Sequence, residues 1–304
     1  MSPQDKDSLF NTFFIATSLC LLCSLLVSAS AVVLKPFRIQ NAKLDKLNNI
    51  VRVSGFGDEE IEAAGGVEKL FEQRFVSQII DLDTGLEAIE ECEQAMSEAG
   101  KEYKNILSEY DQFWASKSKK DKDWADRNDA QAICKELGEN DPAGVKYREK
   151  FSHVFMLKSE DGSQVEKYVF PVRGMGLWSL MQGYLAVEPD FKTVAGLTFY
   201  EQAETPGLGG EVMNPKWKEK WDGKKIYEDD QVALEVIKGD QSSNPYGVDA
   251  LSGATITSNG VTYMLEYWMG DDGFGPFIEN KKSQDSGETR ITLSEMPGTG
   301  VDNG

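Results

Sequence analysis

The stretch of the chain best equipped for chemistry is Asp249-Ala250-Leu251-Ser252-Gly253-Ala254-Thr255-Ile256-Thr257-Ser258, in which hydroxyl side chains alternate with small residues. A hydroxyl forms an ester with a phosphate only where the phosphorus can be brought up to the oxygen, and Gly253 and Ala254 leave that approach to Thr255 open. Ser252 and Thr257 add hydroxyls beside it. Gly-Ala-Thr also closes many ordinary strands, so the segment gains weight only from other blocks of the chain.

Two glycine clusters are candidates for such blocks. Arg173-Gly174-Met175-Gly176-Leu177-Trp178 lacks the third glycine of a dinucleotide fingerprint, and Gly207-Leu208-Gly209-Gly210 has no following Lys-Ser/Thr of a phosphate loop. Both let backbone approach a flat ligand, with Trp178 as an apolar wall and Leu208 as a cover; both are equally tight turns around a core tryptophan. Glu204-Thr205-Pro206 precedes the second cluster and offers a carboxylate, a hydroxyl and a fixed backbone to polar ring atoms, or else a solvated turn. His153 is the sole histidine, which rules out a multi-histidine metal site, and it reads as a strand-edge residue. Cys20 and Cys23 form a C-x-x-C inside an apolar run, where they read as small apolar residues on one helix face. Cys92 and Cys134 are far apart and free to pair in an oxidising compartment.

These residues need a scaffold, and the sequence outlines an α+β one: a mixed or antiparallel sheet with flanking helices, preceded by one transmembrane helix. From His153 onward, Val154–Leu157, Tyr168–Phe170, Tyr184–Val187 and Val194–Tyr200 are short apolar or alternating runs between Gly, Pro and Asp turns, a pattern that predicts strands. Val232–Ile237 predicts another strand, and Asn259–Trp268 a helix after the Thr255 segment. Upstream, Ile50–Val53 alternates as a short strand, while Glu59–Val76 and Leu86–Phe113 predict helices. Lys117–Asp129 is nearly all charged or small and reads as a solvated loop. The expected divisions are an anchor over 1–36, a stem and acidic helical region over 37–149, the core over 150–279 and a flexible tail over 280–304.

The 304 residues suffice for one large domain or two smaller ones, and the formal net charge of -19 repels phosphate backbones, which argues against nucleic acid as a partner. Leu9–Leu34 carries no charge. As a helix it would span roughly 39 Å, more than the hydrocarbon core of a bilayer. It is too long, and its preceding segment too acidic, for a typical signal peptide, although Ser28–Ala31 offers small residues for cleavage. Lys35, Arg38, Lys43 and Lys46 follow it and by charge alone would keep that side in the cytoplasm.

Taken together, the blocks resemble the C subunit of the bacterial sodium-translocating NADH:quinone oxidoreductase. They are the apolar helix, Leu44-Asp45 with Asn49-Ile50, Gly176-Leu177-Trp178-Ser179, Tyr200 with Glu204-Thr205-Pro206-Gly207-Leu208-Gly209-Gly210-Glu211, Gly247-Val248-Asp249, Leu251–Thr255, and Trp268-Met269-Gly270 with Gly273-Phe274-Gly275-Pro276. The G subunit of the related Rnf complex shares the Ser-Gly-Ala-Thr element, but the stem and the Gly-Phe-Gly-Pro end favour the sodium pump. The acidic stretch around Leu86–Asp141 and the tail match nothing specific.

The resemblance implies FMN joined through its phosphate to Thr255, placed there by a flavin transferase that uses FAD and magnesium and recognises the segment containing Asp249. It implies an electron carrier between an iron–sulfur centre in the membrane subunits and a second FMN on the B subunit, in a complex with the A, B, D, E and F subunits. NADH and quinone would bind elsewhere. Leu177, Trp178, Glu204, Thr205, Gly207, Leu208 and Gly209 would flank the flavin, with Ser252, Gly253, Ala254 and Thr257 around the attachment point. The family places the soluble domain on the periplasmic side of the inner membrane, against the charge count. Two other readings remain open on the residues themselves: an anchored scaffold or binding module without cofactor, and a redox role for Cys20-Cys23.

Overall fold

The computed structural model describes residues 9–98, 134–138 and 141–285. The expected loop at 117–129, the second half of the helix expected over 86–113 and residues 286–304 of the tail expected over 280–304 lie outside these residues, while 280–285 are not tail but the end of the helix Gly275–Asp285. The chain divides into two compact units, 1–48 and 49–304.

Helix α1, Leu9–Val53, contains the one segment among the described residues that is long and apolar enough to cross a membrane. Phe13, Phe14, Leu25 and Val27 on it are 63–71 % exposed among the described residues. The helix continues through Pro36 to Val53, where a stem and a short strand were expected. Leu44, Leu47 and Val51 recur at helical spacing, and that period outweighs the local alternation of Ile50–Val53. The helix stops at Gly55, whose φ of 102° is open to glycine; Gly55 N–H donates to Arg52 at 3.0 Å and Phe56 N–H to Val51 at 3.4 Å, a paired C-terminal cap.

The expected helix Glu59–Val76 is broken by Gly65 and Gly66, both at positive φ, into α2 (Asp58–Ala63) and α3 (Val67–Arg74). Phe75 and Val76 instead open β1 (Phe75–Asp81). Helix α4 covers Ile89–Glu98, and β2 (Cys134–Glu136) pairs with β3 (Tyr147–Glu149).

Strands β4 (Phe151–Lys158), β5 (Val165–Met175), β6 (Leu180–Val187) and β7 (Val194–Glu201) complete an antiparallel sheet in the order β1-β4-β5-β6-β7. The expected core segment therefore receives its outer strand from residues 75–81. Alternation along the strands feeds two cores. Val154, Met156, Met181, Leu185 and Val187 point to one, while Phe155, Leu157, Tyr184 and Ala186 point to the other, with Ile50, Val51, Leu70 and Phe75. His153 is inside β4, opposite Ile79, not at a strand edge; it is buried, with Nδ1 3.1 Å from Ser77 Oγ. Cys92 and Cys134 are both buried and neither is in a disulfide. Burial pushes the Cys92 thiol up to about 12, which keeps it protonated and unreactive.

After β7 come a 3-10 turn over Gly209–Met213, the short helix α5 (Pro215–Lys218) and β8 (Tyr227–Glu228). The strand expected over Val232–Ile237 is two pieces, β9 (Gln231–Val232) and β10 (Glu235–Ile237). Strand β10 runs parallel to β11 (Gly247–Asp249), which leads into α6 (Thr255–Met269) and then α7 (Gly275–Asp285). Helix α6 lies against β5 at a point where glycine is needed on both sides: a Cβ on Gly174 would reach 2.7 Å from Met264 Cβ, and one on Gly260 would collide with the Met175 carbonyl.

Candidate functional site

Strand β11 ends at Asp249 and the chain turns at once. Ala250 N–H donates to Ile237 at 2.8 Å, Ala254 N–H closes a turn onto the Leu251 carbonyl at 3.1 Å, and Gly253 holds φ at 71° within it. Leu251 and Ala254 are buried and pin the turn, while Ser252, Gly253 and Thr255 are exposed. Ser258 Oγ accepts the Leu251 N–H at 3.1 Å, so the helix that follows stabilises the turn that precedes it.

Thr255 is the first residue of α6 and stands exposed at its N-terminus. The N-cap residue Ala254 has no side-chain oxygen to satisfy the first amides, and the first turn carries no acid. The partial positive charge of a 15-residue helix is therefore offered to an anion next to the Thr255 hydroxyl. Exposed apolar side chains lie on the segments tied to this turn: Ile256 next in sequence, Leu208 beside Gly253, and Leu177 and Trp178, the latter 70 % exposed, on the loop that shares Glu204 with Thr257. A Cβ on Gly253 would lie 3.0 Å from Leu208 Cδ2, which places the second glycine cluster directly beside the turn.

Glu204 ties these pieces together from beneath. Its Oε1 accepts the N–H groups of Trp178 and Ser179, each at 2.9 Å, and the Ser179 hydroxyl at 3.1 Å. Its Oε2 accepts the Leu177 N–H at 3.1 Å and the Thr257 hydroxyl at 2.7 Å. The residue is only 5 % exposed. Burial pushes its carboxyl up, but the bonds from Thr257, Trp178, Leu177 and Ser179 outweigh that and hold it below the ordinary glutamate value. Gly176 and Gly209 make room on either side: a Cβ would come within 2.6 Å of Oε1 at the first and 2.8 Å of Oε2 at the second.

The FMN-binding domain family matches residues 176–270, from the loop below Trp178 to the end of α6. The chain is 38 % identical over 281 residues to the C subunit of the Na(+)-translocating NADH-quinone reductase of Pasteurella multocida, covering 92 % of this chain and 97 % of that one. It is 40 % identical to the corresponding C subunit of Vibrio alginolyticus, covering 90 % and 96 %. The chain belongs to the family of C subunits of the Na(+)-translocating NADH-quinone reductase. Among solved structures, NqrC of Shewanella oneidensis superposes with a TM-score of 0.63 at 29 % identity, covering 80 % of this chain and 99 % of that one. The C subunit of the same reductase from Parabacteroides distasonis gives 0.53 at 25 %, covering 81 % and 96 %.

Within this member of the family the residues singled out from sequence divide into two groups. Thr255, Ser252, Gly253, Leu177, Trp178 and Leu208 are exposed, whereas Glu204, Thr257, Gly209 and Ala254 are buried beneath them. Thr205 is exposed and its carbonyl accepts the N–H groups of Leu208 and Gly210, which shapes the turn, with Gly207 at φ 76° on its open side. Asp249 is occupied by its own chain: its carboxylate pairs with Lys220 and accepts the Gln241 N–H at 2.7 Å, and its carbonyl accepts Trp217 Nε1 at 2.8 Å. The Lys220 bond, with that from Gln241, holds the Asp249 carboxyl below its usual range. Gly176, Ser179, Ser258, Lys220 and Ile256 also shape the site and were not among the expected site residues; Gly176 and Ser179 stood inside Gly-Leu-Trp-Ser, and Ile256 and Ser258 inside the Asp249–Ser258 segment, whereas Lys220 stood in none of the blocks. Cys20 and Cys23 are both exposed on α1.

Proposed function

We propose that this chain is the electron-carrier subunit of the sodium-pumping reductase and holds FMN as a phosphoester on Thr255, relaying electrons from a membrane iron–sulfur centre to the FMN of the B subunit. The observation that carries the reading is the Thr255 hydroxyl itself, exposed at the uncapped start of α6, with Leu177, Trp178, Leu208 and Ile256 exposed on the segments tied to that turn. An anionic phosphate fits a helix N-terminus, and a flat ring fits an apolar rim.

The residues divide the work. Thr255 Oγ would form the ester, its oxygen replacing the adenylate of FAD at phosphorus while the transferase takes the proton. Ser252, Gly253 and the α6 amides would hold the phosphate, Ala254 and Thr257 would fix the backbone that presents it, and Leu177, Trp178 and Leu208 would exclude water from the ring. Glu204, Thr205, Gly207 and Gly209 shape the loops around it. A flavin supplies reversible electron transfer, and the protein's part is to orient it and set its surroundings. Asp249 marks the segment that the transferase recognises. The A, B, D, E and F subunits are the partners, NADH and quinone are bound by other subunits, α1 is the inner-membrane anchor, and the core over 150–279 lies in the periplasm.

In the assembled complex, Thr255→Ala should stop electrons short of the B-subunit flavin. Rapid mixing with NADH would leave that flavin oxidised while NADH oxidation begins normally; prompt reduction of the B-subunit flavin in the variant would contradict the relay. Protease added to intact spheroplasts should digest the soluble domain, and a protected domain would place it in the cytoplasm.

A further inference from the structure

Glu204 lies where a flavin-site residue is expected, yet its carboxylate is directed into the protein. An ionised carboxylate offers about four lone-pair sites. Five donors already converge on this one, three on Oε1 and two on Oε2, so no lone pair is left for a ligand. The donors come from two different places. Leu177, Trp178 and Ser179 belong to the loop between β5 and β6, and Thr257 lies in the first turn of α6, two residues past Thr255.

The loop shows why such a bond set would be kept. The Trp178 amide is fixed on a buried charge while the residue stands 70 % exposed, a held backbone beneath an apolar side chain open to solvent among the described residues. Ser179 adds a further tie, because its hydroxyl donates to Glu204 and accepts the Ala203 N–H at 2.8 Å. The backbone at Gly176 and Gly209 lies so close to the carboxylate that a Cβ at either position would crowd it, at 2.6 Å from Oε1 and 2.8 Å from Oε2.

We infer that Glu204 is a positioning residue: with Thr257 as the link, its carboxylate fixes the Leu177–Trp178 wall relative to Thr255, and so acts on the flavin ring through Trp178 without touching it. This rests on the FMN reading of Thr255. Thr257→Val removes one bond at nearly constant volume, and Thr257→Ser restores it. Glu204→Gln sets an NH2 group among N–H donors and disturbs more.

The test uses the full-length chain purified from cells containing the flavin transferase, with Trp178→Phe as a reference for loss of quenching by the indole. Three quantities are read: the mass of the denatured Thr255 peptide, the flavin fluorescence, and amide hydrogen exchange at residues 177–179. Thr257→Val should keep the FMN mass, raise flavin fluorescence towards the Trp178→Phe level, and speed exchange of the loop amides about five- to tenfold, the loss expected for one hydrogen bond. Thr257→Ser should return both to the wild-type values, and Glu204→Gln should exceed Thr257→Val in both. Wild-type fluorescence and exchange in Thr257→Val and Glu204→Gln would overturn the inference. If the wild-type peptide carries no FMN, the FMN reading fails by itself, and the exchange rates still decide whether Glu204 holds the loop to α6.

Discussion

Gly260 and Met175 meet backbone to backbone: a Cβ on Gly260 would lie well inside 3.0 Å of the Met175 carbonyl oxygen and 3.4 Å from the Gly176 Cα. This contact sets how closely α6 approaches the end of β5, and hence how close the Thr255 turn comes to the Leu177–Trp178 loop. Gly260→Ala should therefore push the helix away at a cost of about 1–3 kcal/mol in stability, the range for overpacking a tight interior. Denaturant unfolding measures it, and an unchanged midpoint would mean the helix accommodates the methyl without moving.

The charge on Glu204 gives the domain an acid-sensitive link. Its folded-state pKa lies below the ordinary 4.5, so the stability it contributes is complete above that value and is lost as pH falls through the depressed folded pKa. Unfolding midpoints compared from about pH 7 to about pH 3 should fall less steeply in Glu204→Gln than in the wild type, because the variant has no proton to take up there. Parallel acid limbs in the two proteins would contradict it.

A buried ion pair braces the other end of the same helix. Arg173 pairs with Glu149, both largely buried, while its guanidinium carbon lies 5.1 Å from the centre of the Trp268 ring and its carbonyl accepts Trp268 Nε1 at 2.6 Å. Removing Glu149 takes away a buried charge-assisted bond while Arg173 keeps the Tyr147 carbonyl at 3.3 Å, so Glu149→Ala should destabilise by about 1.5–3 kcal/mol. Thermal or urea unfolding tests this; a loss below about 1 kcal/mol would place the pair with exposed ion pairs of little consequence.

What was legible in the chain, and what was not, follows from how local each signal is. The sheet was readable because Val154–Leu157 and Tyr184–Val187 are apolar on both faces, as strands between two cores must be. The start of α6 was read four residues late, at Asn259, because the β-branched Thr255, Ile256 and Thr257 have a strand-like texture; the Ser258–Leu251 bond and the packing of Gly260 make them helical. Glu204 reads in isolation as a solvated turn residue. Its burial depends on donors 26 and 53 positions away at Trp178 and Thr257, which no local window contains. The splitting of Glu59–Val76 was signalled by Gly65-Gly66, a pair that a helical period over the window conceals.

The central claim is a covalent bond at one hydroxyl, and an ester survives denaturation where a merely bound flavin does not. Tryptic mass spectrometry of the denatured chain from transferase-containing cells should find an FMN-sized addition on the peptide holding Thr255, absent in Thr255→Ala and retained in Ser252→Ala. An unmodified Thr255 peptide in the wild-type protein, or an addition that persists in Thr255→Ala, would contradict the account.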